Sequence, residues 1–238
     1  MVCNVTYIYH SGFAIEMGDG ITLLFDYYKD TTGALDAILS RTQRLYVFAS
    51  HAHRDHFVPE IFDFKGEIST TYILSDDILG EDVAIPDNSV TVAPNMNLMV
   101  DNLKVTTYDS TDLGVAFKVE IDGVVVFHAG DLNNWHWRSE STEAEIAEAE
   151  IAFRKILDRV METTADGVDI IFFPVDARMR EGYADGAKEI LEKVSIKHFF
   201  PMHFGRYTAK AFDFDLYGVA EAAVYHSFKD GEMIKINI

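Results

Sequence analysis

Cysteine is nearly absent: Cys3 is the only one in 238 residues. A single thiol can form no internal disulfide and no cysteine-based zinc cluster. Basic residues are also scarce, with 20 Lys and Arg against 39 Asp and Glu, a formal charge of −19. Affinity for nucleic acid comes mostly from cations that neutralise phosphates, so this balance argues against a nucleic-acid surface. It argues equally against adhesion to anionic membranes. No apolar run approaches 18 residues, so no transmembrane helix is expected. The first residues, Met1-Val2-Cys3-Asn4-Val5, lack a basic stretch followed by a long apolar one, so no secretory signal is read there. Together with the lone cysteine, this sets the expectation of a cytoplasmic protein. No repeat, low-complexity tract or Pro/Gly-rich linker interrupts the chain, and residues 1–238 are expected to form one domain.

What the sequence does have is core-forming residues, 48% hydrophobic and 13% aromatic. The first half reads as short strands: Val5 to Tyr9, Phe13 to Glu16, Ile21 to Phe25, and the nearly all-apolar Leu45 to Ala49. Gly18-Asp19-Gly20 is a hairpin signal. Strands continue over Thr71 to Leu74, Val90 to Val92, Leu98 to Val100 and Leu103 to Thr107. Val115 to Ile121 and Val124 to His128 then flank Asp122-Gly123, a strong short-hairpin signal. Thr142 and Glu145 have the spacing of a capping box. Ile146, Ala149, Phe153, Ile156, Leu157 and Val160 follow at helical spacing. Ile170 to Phe173 is a buried strand, Ala184 to Val194 a second helix, and His198 to Phe200 another strand. A hairpin over Asp230-Gly231 is expected to close the chain. The alternation predicts an α/β protein with sheets inside and helices outside.

One segment carries chemistry. His51-Ala52-His53-Arg54-Asp55-His56 begins one residue after a buried strand ends. His51 and His53 are two apart, so an extended loop can aim both imidazoles at one cation. Asp55 and His56 can then serve a second cation or position a water at the first. Imidazole and carboxylate without thiolate suit Zn, Mn or Fe and leave a coordination position open. A metal there lowers the pKa of water toward neutrality and so makes a nucleophile.

This segment resembles the His-x-His-x-Asp-His signature of the metallo-β-lactamase fold hydrolases. Further stretches share the resemblance: His10-Ser11-Gly12-Phe13-Ala14-Ile15-Glu16, Leu23-Leu24-Phe25-Asp26, Phe127-His128-Ala129-Gly130-Asp131 and Phe200-Pro201-Met202-His203-Phe204. The opening strand looks like that of the lactonase-like and phosphodiesterase-like branch. The resemblance implies a four-layer αββα sandwich. It implies one or two divalent ions held by His51, His53, Asp55, His56, Asp131 and His203, with Asp55 also orienting the attacking water. Asp26 would steady the metal loop without being a ligand.

The pattern breaks at one point. The family's further histidine, in a stretch resembling His-x-x-Gly-x-x-x-Phe, falls here on Ser110. Asp109 or Asp112 can take its place as a carboxylate, His128 can turn inward from its strand, or the position can go to water or stay empty. A carboxylate there would shift preference from Zn toward Mn or Fe. Two other stretches qualify as substrate-binding. Trp135-His136-Trp137 follows Asp131 and either walls a cleft or fills the gap beside the long helix. Arg178 either grips an anionic group or pairs with Asp176. The expected activity is hydrolysis of a small ester-like bond in a lactone, phosphoester or amide by metal-activated water. The alternatives are a nuclease, disfavoured by charge, and a di-iron redox or metal-binding protein without hydrolase activity. The expected partner is a small substrate, anionic if Arg178 meets it, with self-association left open; neither nucleic acid nor membrane is expected.

Overall fold

The computed structural model describes residues 1–64, 68–207, 212, 222–225 and 228–238. The chain forms two compact units, Met1–Ala93 with Phe228–Ile238, and Pro94–Ser227. Each is built on its own mixed sheet.

The first unit's sheet contains β1 (Val2–Tyr9), β2 (Gly12–Glu16), β3 (Ile21–Phe25), β4 (Arg44–Ala49), β5 (Ser69–Ser75) and β6 (Ser89–Val92). The second unit's contains β7 (Asn97–Val100), β8 (Leu103–Tyr108), β9 (Ala116–Ile121), β10 (Val124–His128), β11 (Val168–Pro174), β12 (Ile196–Met202) and β13 (Ala223–Val224). The last strand, β14 (Met233–Asn237), returns to the first sheet. The orders are β14-β1-β2-β3-β4-β5-β6 and β13-β12-β11-β10-β9-β8-β7. β3 through β6 are parallel, as are β10 through β13. Each parallel run therefore brings several strand C-termini to one edge, where ligands bind in open α/β sheets.

In the first unit, α1 (Ala34–Leu39) buries Leu35, Ile38 and Leu39. They pack in one cluster with Leu24, Leu45, Val47, Ala49, Tyr72 and Leu74. Alternation then puts Tyr46 and Phe48 on the other face of β4, with the Phe48 ring stacked 4.5 Å from Phe25. Both faces of β4 are buried, which explains its unbroken apolar run. In the second unit, α2 (Glu143–Thr163) begins at the expected capping box and buries Phe153, Ile156, Leu157 and Val160. Burying each is worth about 2 kcal/mol. Phe153 meets Phe173 of β11 edge-on at 6.3 Å. α3 (Asp185–Lys193) buries Ala187, Ile190 and Leu191.

The Asp122-Gly123 hairpin forms, with Ile121 opposite Val124. Its two loop residues have φ of 51° and 80°, the left-handed pair that a two-residue turn requires. Two expectations are corrected. α1 was not anticipated, because six residues are too few to show a helical period. The closing hairpin is not seen among the described residues: Asp230-Gly231 does turn, but β14 pairs antiparallel with β1, Val2 opposite Asn237. Gly231, at φ 74°, donates its N–H to the Tyr7 carbonyl at 2.8 Å, so the turn docks on β1.

Candidate metal centre

The first unit's donors are set by Asp26. Parallel pairing places Phe25 opposite Phe48, so Asp26 leaves the sheet beside Ser50. Its carboxylate is fully buried. Oδ1 accepts the Ser50 N–H at 2.8 Å, and Oδ2 accepts the Ser50 hydroxyl at 2.7 Å and His56 Nδ1 at 2.6 Å. One side chain thus ties both ends of the histidine loop. The His53 carbonyl closes the loop by accepting the N–H groups of His56 and Phe57, each at 2.9 Å. Asp77 fixes the middle by accepting the Ala52 N–H at 2.7 Å.

These bonds decide which ring nitrogen carries the proton. Ser50 Oγ spends its single proton on Asp26, so toward His51 Nδ1, at 2.9 Å, it can only accept. The neutral His51 ring therefore carries its proton on Nδ1 and its lone pair on Nε2. The His56 ring does the same, because Asp26 is a pure acceptor. A hydrogen bond on one nitrogen that sets up the other for a metal is the usual outer arrangement of ligating histidines. The rings of His51 and His53 lie 4.7 Å apart and those of His51 and His56 4.2 Å apart.

His10 joins this group. Its Nε2 is 3.2 Å from Asp55 Oδ2, and donor atoms of His10, Asp55 and His56 all lie within 4.8 Å of one another. Its backbone is in the left-handed region at φ 60°, and its N–H donates to the Tyr7 hydroxyl at 2.8 Å. Burial, first of all, pushes that hydroxyl's pKa upward. The chain must reverse tightly here: a Cβ on Gly12 would sit 3.0 Å from the Tyr9 carbonyl oxygen and 3.2 Å from that of Asp26. In the sequence His10 opens the His10–Glu16 stretch, and that stretch alone assigns it no role. A histidine one residue past a strand, followed by Ser-Gly, was the available signal.

The second unit repeats the device. Asp131 follows β10, Asp176 follows β11 and His203 follows β12, all beyond the C-termini of parallel strands. His203 Nδ1 lies 3.1 Å from Asp176 Oδ2, so the neutral ring again has its lone pair on Nε2, which is 3.3 Å from Asp131 Oδ1. All three residues are buried, and His203 has a left-handed backbone at φ 61°. Such strain persists where the surroundings hold it, often at functional sites. Burial pushes the Asp176 carboxyl up, but hydrogen bonds from His203 and Arg178 outweigh this and hold it at about 2. Asp176 was anticipated only as a partner for Arg178. Its position, just past an apolar strand like Asp26, was the signal for its orienting role.

The remaining candidates fall as follows. Arg178 forks onto Asp176 through Nε and Nη2, with its side chain 49% exposed. Asp109 turns back to accept the Ser110 N–H at 3.0 Å, whereas Asp112 offers a carboxylate oxygen within 4.8 Å of one on Asp131. His128 accepts the Gly130 N–H on Nδ1 at 3.2 Å, so its proton sits on Nε2, opposite to the three rings above. His136 is buried; Nδ1 accepts the Arg138 N–H at 3.3 Å and Nε2 donates to the Gly182 carbonyl at 3.1 Å. That commits both nitrogens to the protein. Trp135 donates its indole N–H to the Asp131 carbonyl at 2.7 Å and lies 5.6 Å from the His203 ring.

This donor set fits divalent metal. Two donors about 2.1 Å from one ion lie about 3.0–3.4 Å apart. His10–Asp55 and His203–Asp131, at 3.2 and 3.3 Å, fall in that range. A mixture of imidazole nitrogen and carboxylate oxygen donors, with histidine in the majority, is compatible with Zn, Mn and Fe.

Comparison with known proteins gives the family and the fold. The profile of the family described as "Beta-lactamase superfamily domain" matches residues 4–158. Igni18, a metallo hydrolase of the archaeon Ignicoccus hospitalis, is similar over all of both chains at 16% identity and a TM-score of 0.64. Zn(2+)-bound PqqB from Methylobacterium extorquens is similar over all of both chains at 12% identity and 0.56. CmlA, a diiron β-hydroxylase from Streptomyces venezuelae, matches 84% of this chain with 44% of its own length, at 14% identity and 0.58. Comparison with curated proteins gives no match. At these identities the structural likeness establishes the fold, which is the α/β fold of the metallo-β-lactamase type. With residues 4–158 matched by the family profile and the histidine loop inside them, the chain belongs to the metallo-β-lactamase superfamily.

Proposed function

We propose that the chain is a metal-dependent hydrolase of small ester-like bonds, in a lactone, phosphoester or amide. The observation that carries this is the common setting of three histidines. His51, His56 and His203 each give Nδ1 to a protein oxygen, on Ser50, Asp26 and Asp176, and keep the lone pair on Nε2. A packing histidine needs no such uniformity, and His128 and His136 do not share it.

His51, His53, Asp55 and His56 of the first unit, and Asp131 and His203 of the second, would hold the ions. A divalent ion bound by them supplies Lewis acidity, lowering the pKa of water and polarising the scissile oxygen. The chain's own groups do the rest. Asp26, Ser50 and Asp176 hold the imidazoles in register. Asp55 would orient water and take its proton, a role supported by the 43% exposure of its side chain and by one oxygen held 3.2 Å from His10. As the bond to the leaving group breaks, that proton passes to the departing oxygen or nitrogen.

Metal analysis of the purified protein beside a His51→Ala/His53→Ala variant tests the reading. We expect Zn, Mn or Fe in the wild type and a large loss in the variant. Absence of transition metal, or equal metal in both, would sink it. A coloured protein with two irons per chain and no turnover of lactones, phosphoesters or amides would replace hydrolysis by redox chemistry.

A further inference from the structure

Trp135 and Trp137 are the chain's full complement of tryptophan. They stand on either side of His136, with Trp135 four residues beyond Asp131. Their rings are stacked, 6.2 Å apart and inclined by only 16°, and both are partly exposed.

The segment that carries them is anchored by other residues. Asn133 exchanges hydrogen bonds with Thr111 through its N–H and carbonyl, at 3.0 and 2.6 Å. Its side chain fits against Gly186 so closely that a Cβ there would lie 2.1 Å from Asn133 Oδ1. His136 is buried against Gly182, where a Cβ would approach its ring to 2.8 Å. His136 is buried, whereas its two neighbours, Trp135 and Trp137, stay partly exposed. Trp137 is kept at φ 40°, an uncommon conformation for a bulky side chain. Its carbonyl accepts the N–H groups of Glu140 and Ser141, at 2.8 and 3.0 Å, and so holds the turn.

Trp135 ties back to Asp131 through its indole N–H, but Asn133 and His136 fix the segment to the neighbouring elements, so neither indole face is needed as a plug. The indoles form a half-exposed aromatic surface whose inner member touches the ring of a metal-ligand candidate, Trp135 to His203 at 5.6 Å. Indole faces bind other planar rings by offset or edge-on contact and bury much apolar area at little cost in conformational entropy.

We propose that Trp135 and Trp137 are the platform for a planar aromatic group of the substrate, next to His203. Naming that ligand a substrate rests on the hydrolase reading; binding itself can be read without turnover. The platform makes the enzyme selective for esters, lactones or amides that carry an aromatic ring beside the scissile bond. Trp135, bonded to Asp131 and packed on His203, positions the metal side of the site. Trp137 is the specificity residue.

Phenyl phosphate and methyl phosphate share a head group and differ in the ring. Binding of each is titrated by tryptophan emission, which arises only from this platform, and checked by calorimetry. We expect phenyl phosphate to bind about 3- to 10-fold more tightly. The ratio should fall to about 1 in Trp137→Ala and stay near the wild-type value in Trp137→Phe, with Trp135 still reporting. Trp137→Leu provides a second non-aromatic variant should the alanine protein fail to fold. Equal affinities in the wild type, no binding of phenyl phosphate, or a ratio unchanged in both non-aromatic variants overturns the proposal. An aromatic preference in a protein that binds no metal would leave the platform standing and remove the hydrolase reading. Metal-dependent hydrolysis without aromatic preference would do the reverse.

Discussion

The two units meet one requirement by different means. In each, an aspartate just past a parallel strand accepts Nδ1 of a histidine: Asp26 for His56 and Asp176 for His203. Asp26 is fully buried and all its hydrogen-bonding partners named above lie on the histidine loop. Asp176 is buried too, but shares its oxygens with Arg178, whose side chain is 49% exposed. The first unit's donors sit mostly within His51–His56, while the second unit's reach from Asp112 to His203. The first set is thus a prefolded loop tied at both ends by one carboxylate, Asp26, and at its middle by Asp77. The second is assembled by the register of three strands, and its carboxylate chiefly orients a ring. Asp26 should matter more for folding, and Asp176 more for metal alone.

Paired variants break this contrast if it is wrong. Asp26→Ala strands the Ser50 N–H, its hydroxyl and His56 Nδ1 in the interior. Removing one partner of a buried network costs about 3–5 kcal/mol, a large share of the stability of an ordinary domain. Denaturant unfolding should show that loss together with loss of metal. Asp176→Asn keeps the shape and one acceptor oxygen, and Arg178 can turn to water. Its unfolding free energy should fall by about 1–3 kcal/mol and its metal affinity about 10- to 100-fold. Equal destabilisation by the two substitutions would show that both carboxylates are primarily structural.

The same contrast explains what was legible in the sequence. A loop of three histidines and an aspartate after an apolar run is a local pattern, and local patterns survive without coordinates. Asp131 and His203 were found because each ends a recognisable strand. His10, Ser50, Asp77 and the orienting role of Asp176 were not found. Each acts through a partner on another element, and register between elements is not written in either stretch alone. The β14–β1 pairing was misread for the same reason: the turn is local, but its partner strand is more than 200 residues away. α1 escaped because its stability comes from Asp30 and the sheet below it rather than from its own period.

A smaller effect separates the candidates for the missing histidine. Asp112 stands with Asp131, whereas Asp109 is bonded to its own loop. Asp112→Ala should reduce metal occupancy about tenfold at limiting metal and weaken Mn or Fe more than Zn, since it removes a hard oxygen donor. Asp109→Ala should leave occupancy unchanged. Metal content after dialysis against graded free-metal buffers measures both. The opposite ranking would move the second unit's ligand to Asp109.

The smallest expected effect concerns how each unit starts a helix. α2 uses its own capping box, in which Thr142 and the exposed Glu145 bond reciprocally. α1 is started by Asp30, four residues ahead of it, whose carboxylate accepts the N–H groups of Thr32, Gly33 and Leu35 at 2.9, 3.0 and 2.8 Å. Partial burial pushes Asp30 up, but these bonds outweigh it and hold its pKa below the usual carboxylate value. A depressed folded pKa means the unfolded chain takes up protons first. The stabilisation is therefore complete above about pH 4 and disappears as pH falls through the lower folded value. Asp30→Ala should cost about 1 kcal/mol at pH 6, as the loss of a helix-starting side chain does, and the gap to wild type should close in acid. Glu145→Ala should cost less at every pH, because its partner Thr142 still caps α2 and water reaches both groups. A constant gap for Asp30→Ala from pH 6 to pH 2 would show that α1 is held by the packing of Leu35, Ile38 and Leu39, with no contribution from the charge ahead of it.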